Sequence, residues 1–129
     1  MLEIHQPKAL ALLRIVTALL FLEHGTQKLL GFPSAAATSP GAGLISITGV
    51  AGLLELVGGV LLVIGFNTRL VAFILSGEMA IAYWTAHAPR SFFPILNGGD
   101  AAILYCFIFL YLVFAGPGAW SLDGKLQAK

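Results

Sequence analysis

Residues 44–64 read LISITGVAGLLELVGGVLLVI, a run of 21 positions in which Glu55 carries the only charge, and the turn Gly65-Phe66-Asn67-Thr68 follows. About 20 mostly apolar residues are what a helix needs to cross some 30 Å of hydrocarbon, so this stretch predicts a transmembrane helix over 44–64. Working outward with the same criterion gives three more spans: 9–30, closed by Gly31-Phe32-Pro33; 69–88, closed by Pro89; and 100–115, closed by Gly116-Pro117-Gly118. The predicted fold class is an all-α antiparallel four-helix transmembrane bundle, a single domain over 1–129.

Composition agrees. Only 10% of the 129 residues are charged and 58% are hydrophobic, with a mean hydropathy of +0.92, whereas a soluble domain carries roughly 25% charge. Disorder is excluded by the nine Phe and two Trp. A net charge of +1 provides no basic field for nucleic acid. The single cysteine, Cys106, excludes an internal disulfide and leaves no C-x-x-C pair; it reads as a packing residue.

Lys8, the apolar run behind it and Ser34-Ala35-Ala36-Ala37 invite a signal-peptide reading. Glu23, His24, Gln27 and Lys28 interrupt the run before the small residues, so the segment is read as a true helix. Lys8, Arg69, Lys125 and Lys129 fall on one side of the bundle and Lys28 and Arg90 on the other. The positive-inside rule then puts both termini in the cytoplasm. Trp84 with Tyr83, and Trp120, suit interfacial anchors.

The informative residues are the ionisable ones within the spans, because charge near a bilayer centre is costly and usually faces the bundle interior, pairs and marks a site. At 100° per residue, Arg14, Thr17, Phe21, His24, Gly25 and Lys28 share one stripe of the first helix. Glu55 sits on the second among Gly52, Gly58 and Gly59, a close-packing face. Ile74, Glu78, Ala82 and Thr85 share a face of the third, and Asp100, Leu104, Phe107, Tyr111 and Phe114 a face of the fourth. Depth at 1.5 Å per residue suggests two groups. One is a midplane ion-pair group of Arg14, Glu55 and Glu78; the other is an outer polar pocket of His24, Lys28, Asp100, Trp84 and His87.

Each has a structural reading beside the functional one. Arg14 with Glu55 serves equally as a register-fixing salt bridge, Lys28 as a snorkelling lysine and His87 as a solvated loop residue. Haem between His24 and His87 has no accompanying signal. No metal site is expected, since no ligand set has the spacing of a closed zinc centre.

Arg14, then Phe21-Leu22-Glu23-His24-Gly25-Thr26-Gln27-Lys28-Leu29, Leu54-Glu55-Leu56-Val57-Gly58-Gly59 with Gly65, and finally Gly116-Pro117-Gly118-Ala119-Trp120-Ser121-Leu122-Asp123 together resemble the DoxX family over nearly the whole chain. The resemblance implies a four-helix bacterial inner-membrane protein related to quinone-linked oxidoreductase and terminal-oxidase subunits. The family's Arg, His-Gly, Gln-Lys and Glu positions fall on Arg14, His24, Gly25, Gln27, Lys28 and Glu55. Three functions compete. The first is a redox-associated subunit, working with an oxidoreductase partner, that offers a quinone or similar apolar ligand a pocket where His24 hydrogen-bonds an oxygen, Asp100 or Glu78 exchanges a proton and Trp84, Tyr83 or Phe107 stacks on the ring. The second is a proton-coupled carrier of small hydrophobic molecules working through Glu55 or Glu78, as a homo-oligomer in the manner of small drug exporters; the third is a scaffold for soluble enzymes.

Overall fold

The computed structural model describes residues 1–34 and 44–128. Among them helices are the only regular secondary structure, without strands. Helix α1 spans Gln6–Leu30, α2 Ile47–Ile64 and α3 Thr68–Ala82; a short α4, Pro94–Asn97, precedes α5, Asp100–Ala115, and α6, Leu122–Gln127, lies in the tail.

The boundaries follow local chemistry. Pro7 sits in the first turn of α1, where its missing N–H costs nothing. The helix therefore starts three residues before the expected Ala9. Ser46 caps α2, its Oγ accepting from the Gly49 N–H at 3.0 Å. That cap sets the start at Ile47 rather than Leu44. Gly31 and Gly65, both left-handed, end α1 and α2. The third span is interrupted: regular helix stops at Ala82, a π turn covers Tyr83–His87 and a 3-10 turn Ala88–Arg90. Thr85 Oγ1 donates to the Ile81 carbonyl at 2.7 Å, a back-bond that bends helices, and Pro89 removes a donor just beyond.

Three continuous helical stretches, Glu3–Leu30, Ile47–Ile64 and Thr68–Arg90, are long and apolar enough to cross a membrane. Helix α5 has 16 residues, roughly 24 Å at 1.5 Å each, short of the 30 Å core. Just before it, Phe92, Phe93, Ile95 and Leu96 are exposed, which extends the apolar surface beyond its first turn.

α1 packs chiefly on α2 and α3 on α5, with α2 also against α3. The interior holds Phe21, Leu62, Leu75, Phe109 and Leu112, all but sealed from the surroundings. Large apolar residues such as Leu19, Val57 and Phe73 point outward. That inversion suits lipid, where helices associate by close packing rather than by hydrophobic burial.

Glycines make the closest contacts. A Cβ on Gly25 would lie 2.6 Å from the Leu56 amide nitrogen and 3.0 Å from the Gly52 carbonyl oxygen, so α1 and α2 meet backbone to backbone. Gly52 and Gly59 face Lys28, Leu29 and Leu22 of α1, whereas Gly58 faces Leu75 of α3. The small-residue face of α2 thus serves two neighbours.

On α5 the expected face is the outer one. Asp100, Leu104, Phe107, Tyr111 and Phe114 are exposed, and Ala102, Phe109 and Leu112 are buried. This helix is apolar all round, so composition gave its orientation no phase.

Candidate functional site

Both chain ends meet at one end of the bundle, where the Ala119 N–H donates to the Pro7 carbonyl at 2.8 Å. Arg14 belongs there. It is fully buried, and its guanidinium donates to the Trp120 carbonyl at 3.0 Å and reaches Ala119 O at 3.4 Å. The expected ion pairs of Arg14 with Glu55 and Glu78 are therefore corrected. The chain after Gly116 leaves carbonyls without helical partners, and a guanidinium with five donors is suited to them. Lys28 stands 14 residues further along α1, about 21 Å at 1.5 Å per residue, so Arg14 and the acidic pair occupy different depths.

The same end is closed by Asp123. Its carboxylate accepts from the Asn67 N–H at 2.7 Å and the Thr68 N–H at 2.8 Å, capping α3 from across the fold because Asn67 makes no cap of its own. Burial alone would raise the Asp123 carboxyl. The Thr68 and Asn67 donors and the nearby Arg14 charge outweigh it and hold the group below its ordinary value. Arg69 donates to the Val113 and Phe114 carbonyls at 2.6 Å, covering the C-terminus of α5.

The other end holds a cavity of about 160 Å³. Phe21, His24 and Lys28 of α1 form one wall, Ala101, Ala102 and Tyr105 of α5 a second, and Met79, Ala82, His87 and Gly98 close it, with Glu55 at the back. The His24 ring meets Tyr105 edge-on at 5.9 Å, and Tyr105 stacks on Phe109. His24 is itself exposed, so the cavity opens beside it.

Lys28 Nζ lies 2.6 Å from Glu55 Oε1, in place of the expected arginine. Glu55 sits near the middle of α2 and is 2% exposed; its second oxygen has no partner. Both oxygens of Glu78 are likewise buried without a partner, within electrostatic reach of Glu55 and Lys28. The structure thus unites His24, Lys28 and His87 with Glu55 and leaves Glu78 beside them.

Two expected members stay outside. Trp84 is 71% exposed, and Asp100, first residue of α5, points away. Phe107, considered as a stacking residue, also faces outward. The π turn accounts for Trp84. With an extra residue in the turn the α-helical phase is lost, and His87 rather than Trp84 reaches the cavity. His87 Nδ1 is 3.0 Å from the Asn97 main-chain carbonyl, which only accepts, so Nδ1 is the donor in this bond.

Tyr105 and Asn97 escaped sequence reasoning. Tyr105 is one aromatic residue in a helix full of them. Asn97 is buried at the end of α4, donating to Ser91 O at 2.9 Å and accepting from the Gly99 N–H at 2.7 Å. The available signal was the sequence Asn97-Gly98-Gly99 itself, since an Asn before two glycines often organises a turn. Among the described residues no three His, Cys, Asp or Glu side chains are placed to hold a metal ion.

The model of the DoxX family matches residues 9–88. An uncharacterised protein of Haemophilus influenzae is 49% identical over 131 residues, covering 99% of this chain and 98% of its own length. An uncharacterised membrane protein of Mycobacterium tuberculosis is 28% identical over 150 residues, covering 95% of this chain and 84% of its own. No solved structure matches.

Proposed function

The chain belongs to the DoxX family and is an integral membrane protein; from that premise we propose that it is a redox-associated subunit of the bacterial inner membrane whose cavity receives the ring of a quinone or a similar apolar ligand. The observation that carries this reading is the cavity of about 160 Å³ with aromatic walls, two imidazoles and one ammonium group. An apolar cavity of about 150 Å³ takes a benzene ring, so the space suits a single ring whose tail continues into lipid.

A quinone, when bound, supplies two-electron chemistry linked to protons. The chain's own part is to bind and to handle protons. Phe21 and Tyr105 offer the ring its packing surface, His24 and Lys28 present donors to an oxygen, and His87, held by Asn97, orients one ring nitrogen. Electrons come, in this reading, from an oxidoreductase partner. With both termini in the cytoplasm the cavity lies in the outer half of the membrane.

Native mass spectrometry with lipid extraction, comparing the wild-type protein with His24→Ala, tests this. A co-purifying quinone that is depleted in the variant is the expected result. Absence of quinone from the wild-type protein, purified from its own membrane, refutes it.

A proton-coupled carrier is the second reading, favoured by one observation: both Glu78 oxygens are buried with no partner, and no arginine holds that carboxylate ionised. Proton-driven flux in vesicles, abolished by Glu78→Gln, is its test.

A further inference from the structure

The wall of the cavity contains a charge arrangement of which the ligand reading uses only Lys28. Lys28, which lines the cavity, directs one of its three ammonium donors at Glu55 Oε1. Glu55 is 2% exposed and its Oε2 has no donor, and neither oxygen of Glu78 has one. One cation, in contact with Glu55 alone, thus lies within electrostatic reach of two carboxyl groups. Were both carboxylates ionised, the cluster would hold a net negative charge in a low-dielectric interior with three oxygens unsatisfied, a state strongly disfavoured over protonation. Neutrality is reached with one proton on Glu78, the group that has no ammonium beside it.

Lys28 is also the only cation shared by the cavity and the cluster among the described residues. The groups that face the cluster are His24 and Lys28 from α1, Glu78 from α3, His87 from the π turn and Tyr105 from α5. None of the others is placed within 4 Å of Glu55 as a replacement cation.

Resting on the reading of the cavity as a ligand site, we propose that binding is an exchange at Lys28: an acceptor oxygen of the ligand takes the ammonium from Glu55, and Glu55 takes up one proton as it loses its partner. The step balances. A hydrogen bond from Nζ to Oε1 breaks, one from Nζ to the ligand oxygen forms, and the Glu55 carboxylate plus one proton becomes a neutral acid. No electron moves. Glu78 holds its proton throughout, so both carboxyl groups are neutral once Glu55 has taken up its own, and the cluster then carries the single positive charge of Lys28. The ligand class is thereby narrowed to apolar rings carrying an exposed acceptor oxygen, such as a quinone carbonyl, and binding becomes linked to pH: each unit of acidification tightens it tenfold while Glu55 is ionised in the free protein.

The test uses the full chain in detergent micelles with duroquinone as the probe. Calorimetric titrations in two buffers of different ionisation heat give the number of protons taken up on binding. The wild-type protein is expected to take up one, Glu55→Gln to bind with none, and Glu78→Gln to take up one as before. Binding by the wild-type protein without proton uptake overturns the exchange and leaves the ligand reading intact. Failure of duroquinone to bind at all overturns both. Infrared spectra of the ligand-free protein provide the independent readout: a protonated-carboxyl band near neutral pH is expected in the wild type and in Glu55→Gln and is lost in Glu78→Gln. A band that persists in Glu78→Gln overturns the assignment of the resting proton.

Discussion

Replacing Gly25 by alanine adds a single methyl group where α1 and α2 touch, and the structure sets the magnitude of the effect. The new Cβ would lie 2.6 Å from the Leu56 nitrogen and 3.0 Å from Gly52 O and from Leu56 Cα, all backbone atoms of α2. No rotamer relieves such contacts, so the helices must separate by several tenths of an ångström, which also stretches the Lys28–Glu55 pair one turn away. Overpacking of this kind costs typically 1–3 kcal/mol, and immovable partners place it near about 3 kcal/mol. The better helix propensity of alanine returns about 1 kcal/mol. A net loss of about 2 kcal/mol is expected. Gly77 is the control, since a Cβ there meets nothing within 4 Å; Gly77→Ala should keep or raise stability by up to about 1 kcal/mol. Denaturant unfolding in mixed micelles, followed by circular dichroism, measures both. Equal stability of Gly25→Ala and the wild type would refute the backbone-to-backbone packing of α1 on α2.

Three further outcomes follow from the charged groups. Lys28→Met leaves Glu55 buried and unpaired, and unfolding should become easier by about 3 kcal/mol; the double variant Lys28→Met, Glu55→Gln should recover much of that loss in the same unfolding assay. Arg14→Met removes the donor that gathers the Ala119 and Trp120 carbonyls, so trypsin should cut after Lys125 faster than in the wild type. The lowered Asp123 carboxyl stabilises the fold at pH values above the ordinary carboxylate range, and that contribution is lost as pH falls through its depressed folded-state value. Asp123→Asn should accordingly cost about 1 kcal/mol at neutral pH, as for the loss of a helix cap, and flatten the acid limb of the stability profile.

The spans were legible because each is a long apolar run ending at glycine or proline, signals that do not depend on tertiary contacts. The small face of α2 was legible too, since Gly52, Gly58 and Gly59 recur at helical spacing beside Glu55. What escaped was direction. Arg14 shares a stripe with Lys28, and phase alone cannot tell which of them the acidic residues meet; the answer depends on where the tail folds back, and Asp123 and the Trp120 carbonyl lie over a hundred positions from Arg14. On α5, an apolar surface all round hid the inward side of Tyr105. The π turn at Tyr83–His87 keeps His87 in the cavity and turns Trp84 out of it, and no pattern in that stretch announces the extra residue. The cavity's lysine and two histidines were named from sequence, and the part Tyr105 plays in its wall was found only in three dimensions.

The central claim is that the cavity beside His24 receives an apolar ring. Photolabelling with a short-chain azidoquinone in native membranes, followed by peptide mapping, tests it directly. The account predicts label on the α1 segment from Phe21 to Lys28 and on the α5 segment from Ala101 to Tyr105, competed away by unmodified quinone. Label confined to the outward residues Phe107, Tyr111 and Trp84, or label that competitor does not displace, would contradict it.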